Sequence, residues 1–354
     1  MKKLIIAMTC SVAMVGLAAC GGGSPNTVAD GQATSPEQCN IIVSDYTGWF
    51  PMLWAKEAGY TDTVGAEFGL DIGVRHTPNY GASIDLFTSD GNYDALVITN
   101  MDALIAPASS GIETSFYPTS TSNGNDALII VDSTGTITLE DAIGSGDPIY
   151  LLEGTVSSYL VAQAAESLGV SYDDLNIVNA DEDALIAKMA TGGDGTMVAT
   201  WNPYVMNIVD MPNTSVLFDS SQIGGQIIDG IIVRDTAPTG CAAALLKSFY
   251  QGVGDLKTNR DAAVTYMAKM AGASVAEFER QLETTNMIGT LDDAIEFVND
   301  STVIDTMESV YNFSRSQKLL TERVAVAIGS SPSPVGEGPV MLTFADTALI
   351  VAAE

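Results

Sequence analysis

Tyr93 to Gly111 reads YDALVITNMDALIAPASSG. Its first half is apolar and rich in β-branched residues, the pattern of a buried strand. Its second half places apolar residues at helical spacing and stops at a glycine. A strand running straight into a helix is half of a βαβ unit, and the flanking sequence repeats the theme. CNIIVSDY, from Cys39, reads as a strand and PMLWAKEAGY as a helix; LDIGVRHT is a strand, SIDLFTSDG a short helix, and IETSFYPT a strand. These segments predict a mostly parallel sheet flanked by helices.

The pattern then restarts. DALIIVD, PIYLLEG, LNIVNA, TMVATWNP and SVLFDSS read as strands, and TVSSYLVAQAAESLG as a helix with Thr155 as its N-cap. DEDALIAKMATGG is a helix opening on acids, as the helix dipole favours. After IIDGIIVRD the chain is mostly amphipathic helix. Two successive α/β sets and a helical C-terminal region predict two lobes: residues 38–122 and 232–354 in the first, 123–231 in the second. The crossings would fall near 123–131 and 219–233.

The 354 residues suffice for two such bodies. With 14 Lys+Arg against 44 Asp+Glu, the net charge of −30 repels nucleic acid and anionic headgroups. A solvated acidic surface accounts for most of those acids. No glycine-rich phosphate loop is present, and His76 is the only histidine, which argues against a His-based triad and most zinc sites. No cofactor or metal is expected.

The N-terminus carries the targeting signal: basic MKK, the short apolar run LIIAMTCSVAMVGLAA, then Cys20 and GGGS. LAAC resembles the lipobox of bacterial lipoproteins. That resemblance implies a signal peptide over 1–19, a lipid on Cys20, and a mature chain with 12 basic and 44 acidic residues, a net of −32. Residues 20–37 have the composition of a flexible tether. Cys39 and Cys241 remain, and export permits either a disulfide or two free thiols.

Ligands of open parallel sheets bind beyond the carboxyl ends of the strands. Those junctions hold Asp45 and Trp49, Asn100 and Asp102, Glu153 and Ser157, Trp201 and Asn202, and, at the second crossing, Asp219. They are acids, amides and aromatics. No Lys or Arg occurs from His76 to Ala187 or from Met189 to Val233, leaving Lys56, Arg75, Lys188 and Arg234 to balance an anion. An anionic ligand would normally call for an Arg fork or a Lys. A cationic or amine-rich ligand suits carboxylates and indole faces better. Each residue also has a structural alternative: early-helix acid for Asp102, core aromatic for Trp49, local acceptor for Glu153.

Together the lipobox, SDYTGWFP, TNMDALIAPASSG, SNGNDALIIV, LLEGTVSSYLVAQAAESLG, VATWNPYV and FDSSQIGGQIIDGIIV resemble ABC-importer substrate-binding proteins. The branch is that of taurine, alkanesulfonate, nitrate and thiamine-precursor binders. Within it, the blocks look most like proteins encoded beside urea-carboxylase-type enzymes, some of them associated with guanidine. The resemblance covers roughly residues 39–235. It implies a type II periplasmic-binding-protein fold, a monomer anchored in the cell envelope, a small-molecule solute held between the lobes, and docking on an inner-membrane ABC permease. It carries Asp45, Trp49, Asn100, Asp102, Glu153, Trp201 and Asn202 over as cleft residues. Guanidinium is the expected solute, with urea next. A sulfonate or a thiamine pyrimidine precursor on the same fold is the alternative. A pyrimidine-synthase-like enzyme has less support, because His76 stands alone and Cys39 lies at the wrong end of its strand.

Overall fold

The computed structural model describes residues 36–354; the signal-peptide and Cys20 expectations lie outside them. Fourteen strands are seen among the described residues. Eight of them run β1 (Glu37–Val43), β2 (Leu70–His76), β3 (Ala95–Thr99), β4 (Thr114–Ser122), β5 (Asp126–Val131), β6 (Ile149–Leu151), β7 (Ile177–Asn179) and β8 (Met197–Trp201). Six follow: β9 (Thr214–Asp219), β10 (Ile228–Arg234), β11 (Thr285–Met287), β12 (Ala325–Ile328), β13 (Val335–Gly336) and β14 (Val340–Phe344).

They form two sheets. One has nine strands in the order β13-β12-β14-β4-β10-β3-β1-β2, with β11 paired to β4; the other has five, in the order β7-β6-β8-β5-β9. Each sheet is mixed. β1 runs parallel to β2 and β3, whereas β10 lies antiparallel between β3 and β4, and β5 antiparallel between β8 and β9. The chain leaves the large sheet after Ser122, builds the small one through β5–β9, and returns along β10. Each sheet with its helices is a lobe.

Local chemistry explains why the elements stop where they do. All five residues of β3 are buried, and the helix Asn100–Ser109 starts at once because the Thr99 hydroxyl accepts the Asp102 N–H. Asn79 caps the helix Tyr80–Ser89 and Thr155 caps Val156–Glu166. Apart from β11, the C-terminal third is helical through Ser316, as its amphipathic segments predict, and then adds β12–β14 to the edge of the large sheet. Of the two states open to the remaining cysteines, the bonded one is present: Cys39 on β1 and Cys241, at the start of the helix Cys241–Thr258, form a disulfide across 202 residues. Among the described residues no helix is long and apolar enough to cross a membrane.

Candidate functional site

The first strand–helix junction builds one wall of a cavity between the sheets. After β1 the chain turns tightly, the Trp49 N–H bonding to the Tyr46 carbonyl at 3.0 Å, before the helix Phe50–Glu57 begins. Only glycine fits at position 48, where a Cβ would lie 2.5 Å from the Ser120 hydroxyl and 2.6 Å from the Tyr46 ring. That tight turn folds Tyr46 and Trp49 edge to face, with ring centroids 4.8 Å apart. Trp49 leans on Tyr80 at 5.5 Å, and Tyr80 meets Trp201, at the end of β8, at 5.6 Å. Four aromatic rings thus run continuously from one lobe to the other.

Behind them lie carboxylates. The cavity, with an accessible volume of about 10 Å3, near what a single water needs, is bounded by the four rings and by Thr99, Val156, Asp126 and Asp229. Asp102 sits just behind its wall, accepting 2.7 Å hydrogen bonds from the Tyr80 and Thr99 hydroxyls. Asp126 opens β5 opposite Trp201 and is bonded by Ser122. Asp229 lies on β10 at a register shift, opposite Thr99, with Ser120 donating to it at 3.1 Å and the Tyr46 hydroxyl facing it.

All three acids are buried. Burial pushes the Asp102 carboxyl up to about 6, against the hydrogen bonds from Thr99 and Tyr80. Burial likewise raises Asp126 to about 7, with the Asp102 charge adding to it. Asp229 is held well above the ordinary carboxylate range by burial and then by Asp126. None of the ion pairs among the described residues involves these acids. The four basic residues singled out in the sequence are engaged elsewhere. Lys56 pairs with Asp62, Arg75 donates to the Tyr93 hydroxyl, Lys188 lies over the Tyr150 ring, and Arg234 over Phe87. No three His, Cys, Asp or Glu side chains among the described residues come together as a metal-holding group. Aromatic faces and uncompensated carboxylates can together hold one small cation by cation–π attraction and charge-assisted hydrogen bonds.

The residues singled out in the sequence are distributed unevenly. Trp49 and Trp201 line the cavity, and Asp102 supports its wall. Asn100 is buried but faces the returning chain, donating to the Gln226 carbonyl at 3.0 Å and accepting the Ile228 N–H. Asn202 is buried in the crossing, bonded to Asn125 and Thr284, while Asn125 in turn donates to the Tyr46 hydroxyl at 2.9 Å. Ser157 is buried at the start of the helix Val156–Glu166, its hydroxyl without a protein partner.

Three of the expected residues lie away from this cavity. Asp45 pairs with His76 at 2.6 Å, outside the lining, because the turn at Gly48 swings the chain away after it. Glu153 is exposed on the turn before its helix, which carries its side chain out to solvent. Asp219 caps the short 3-10 turn Ser220–Ile223, so its carboxylate is spent on local N–H groups. The sequence reading missed Tyr80, Asp126 and Asp229. The first lies inside an apparent loop and the others within strands, so no strand-end rule points to them.

No family model matches the chain, and no curated protein matches it. Solved structures do. The alkanesulfonate-binding protein SsuA from Xanthomonas axonopodis pv. citri, bound to MOPS, is similar with a TM-score of 0.67 at 16% identity over 82% of this chain and 96% of that one. The periplasmic aliphatic sulphonate binding protein SsuA from Escherichia coli gives 0.67 at 14% identity over 81% and 90%. The periplasmic nitrate-binding protein NrtA from Synechocystis PCC 6803 gives 0.55 at 15% identity over 78% and 85%. The fold is therefore the two-lobed type II periplasmic-binding-protein fold. At these identities the likeness extends to the fold and no further.

Proposed function

We propose that the chain is the extracytoplasmic solute-binding component of an ABC-type importer, tethered through Cys20, that encloses a small nitrogen-rich cation between its lobes. Guanidinium is the first candidate and urea the second. The observation that carries this reading is the pairing of a four-ring aromatic wall with buried Asp126 and Asp229, neither of which has a basic partner among the described residues. The fold shared with sulfonate and nitrate binders supports the importer role. Their anionic solutes suit this cavity less well, because its lining holds no Lys or Arg and becomes negative as Asp126 and Asp229 ionise. The enzyme reading has little to work with: among the described residues His76 is held by Asp45, and both cysteines are in the disulfide.

Calorimetry with guanidinium, urea, taurine and nitrate tests the proposal. Guanidinium should bind, and Asp126→Asn should weaken it by about 10-fold or more, the ~1.4 kcal/mol expected when one charge-assisted contact is lost. Binding of taurine or nitrate in place of guanidinium would overturn the reading.

A further inference from the structure

Glu182 is a buried carboxylate that the cavity does not use. It opens the helix Glu182–Thr191, which belongs to the five-stranded lobe, and its residue is only 2% exposed. Its side chain reaches across to the other lobe. One oxygen accepts the Asn79 side-chain N–H at 2.7 Å and the other accepts the Tyr80 backbone N–H at 3.1 Å. Both donors sit at the start of the helix Tyr80–Ser89, where Asn79 is the cap and also accepts the Ala82 N–H at 2.7 Å. The first N–H groups of a helix have no partner within it, and its positive end favours an anion. Glu182 supplies both from the opposing lobe. None of the ion pairs among the described residues involves it.

Tyr80 makes this contact consequential. Its backbone is held by Glu182, its ring sits between Trp49 and Trp201 in the cavity wall, and its hydroxyl is bonded to Asp102. One residue therefore joins the contact between lobes to the surface a solute would touch. Parting the lobes would strip Glu182 of both donors and release the start of the Tyr80 helix.

We propose that Glu182 is the clasp of the closed state: a positioning residue that touches no solute but holds the lobes shut through Asn79 and Tyr80 and fixes the Tyr80 ring. The proposal rests on the reading that the cavity is the solute site. As a clasp, it should set the rate of solute escape more than the rate of entry.

The full chain is compared with Glu182→Ala, Glu182→Gln and, as a control in the same helical turn, the exposed Asp183→Ala. Guanidinium chloride is the probe, followed by stopped-flow tryptophan fluorescence, and amide hydrogen exchange at Tyr80 is measured with and without it. Glu182→Ala should raise the dissociation rate constant at least 10-fold and leave the association rate constant within about 2-fold. It should also speed exchange at Tyr80. Glu182→Gln, which keeps one acceptor, should fall between, and Asp183→Ala should match the parent. An unchanged dissociation rate in Glu182→Ala, or unchanged exchange at Tyr80, would overturn the clasp. If the parent itself binds no guanidinium, the cationic reading falls, and exchange at Tyr80 in the empty proteins still decides the clasp: faster in Glu182→Ala supports it, equal rates overturn it.

Discussion

Asp126 and Asp102 are carboxyl groups held out of water beside aromatic rings, and both keep protons at pH values where an exposed aspartate has lost them. A cation entering the cavity competes with those protons. Its affinity should therefore improve as pH rises from 5 to 8, by roughly 10-fold per unit below about 7 if Asp126 must ionise, then level off. Calorimetry in buffers of different ionisation heat should show proton release on binding; pH-independent affinity with none released would exclude proton competition. The empty protein should respond in the opposite sense. Between the ordinary value of 3.8 and about 7 the folded chain holds protons that the unfolded chain has given up, so this contribution is complete below 3.8 and lost as pH climbs to 7. The melting temperature of the empty protein should fall over that range, and Asp126→Asn should flatten the fall. Asp102 was visible in the sequence because it follows a strand end, where ligand residues gather. Asp126 and Asp229 were not. Each reads as an unremarkable acid in an apolar strand, and only the antiparallel placement of β10 beside β3 and β4, and of β5 beside β8, turns them toward one cavity.

The helix Phe50–Glu57 reaches the cavity through Trp49 and is held from behind by the long helix Cys241–Thr258. The two approach so closely at Gly252 that a Cβ there would lie 2.4 Å from the Pro51 carbonyl oxygen. The backbone cannot yield as a flexible side chain would. Gly252→Ala should therefore cost about 1–3 kcal/mol, read as a lowered melting temperature, despite alanine's better helix propensity. A variant as stable as the parent would show that the helices can separate freely. The same long helix is tied to β1 by the Cys39–Cys241 bond, which closes a 202-residue span. Replacing both cysteines by serine should lower stability by about 2–4 kcal/mol without changing the cavity lining. Those helices were readable from their 3.6-residue periodicity. Strands β12–β14 were not, because they are short, lie among Gly, Ser and Pro, and gain their identity only by pairing at the edge of the large sheet.

At the scale of the whole molecule, the alternation of strand and helix was legible because buried strands and amphipathic helices need different spacings. The contacts between lobes were not, since they join residues 67 to 150 apart: Glu182 with Asn79, Tyr159 with Gln226 and Ser309, and Arg280 with Asp210. What the composition does supply is a field. A net charge of −30 attracts cations toward the lobes and repels anions, and salt screens it over about 10 Å at 0.1 M. The sign of the salt effect on association therefore reports the charge of the solute. For guanidinium, raising NaCl from 10 to 200 mM should slow association several-fold while dissociation from the enclosed cavity, set by local contacts, changes little. For a sulfonate or nitrate the same salt would speed association. Stopped-flow measurements at four or five ionic strengths separate the two, and an association rate rising with salt would put an anion, rather than a cation, in the cavity.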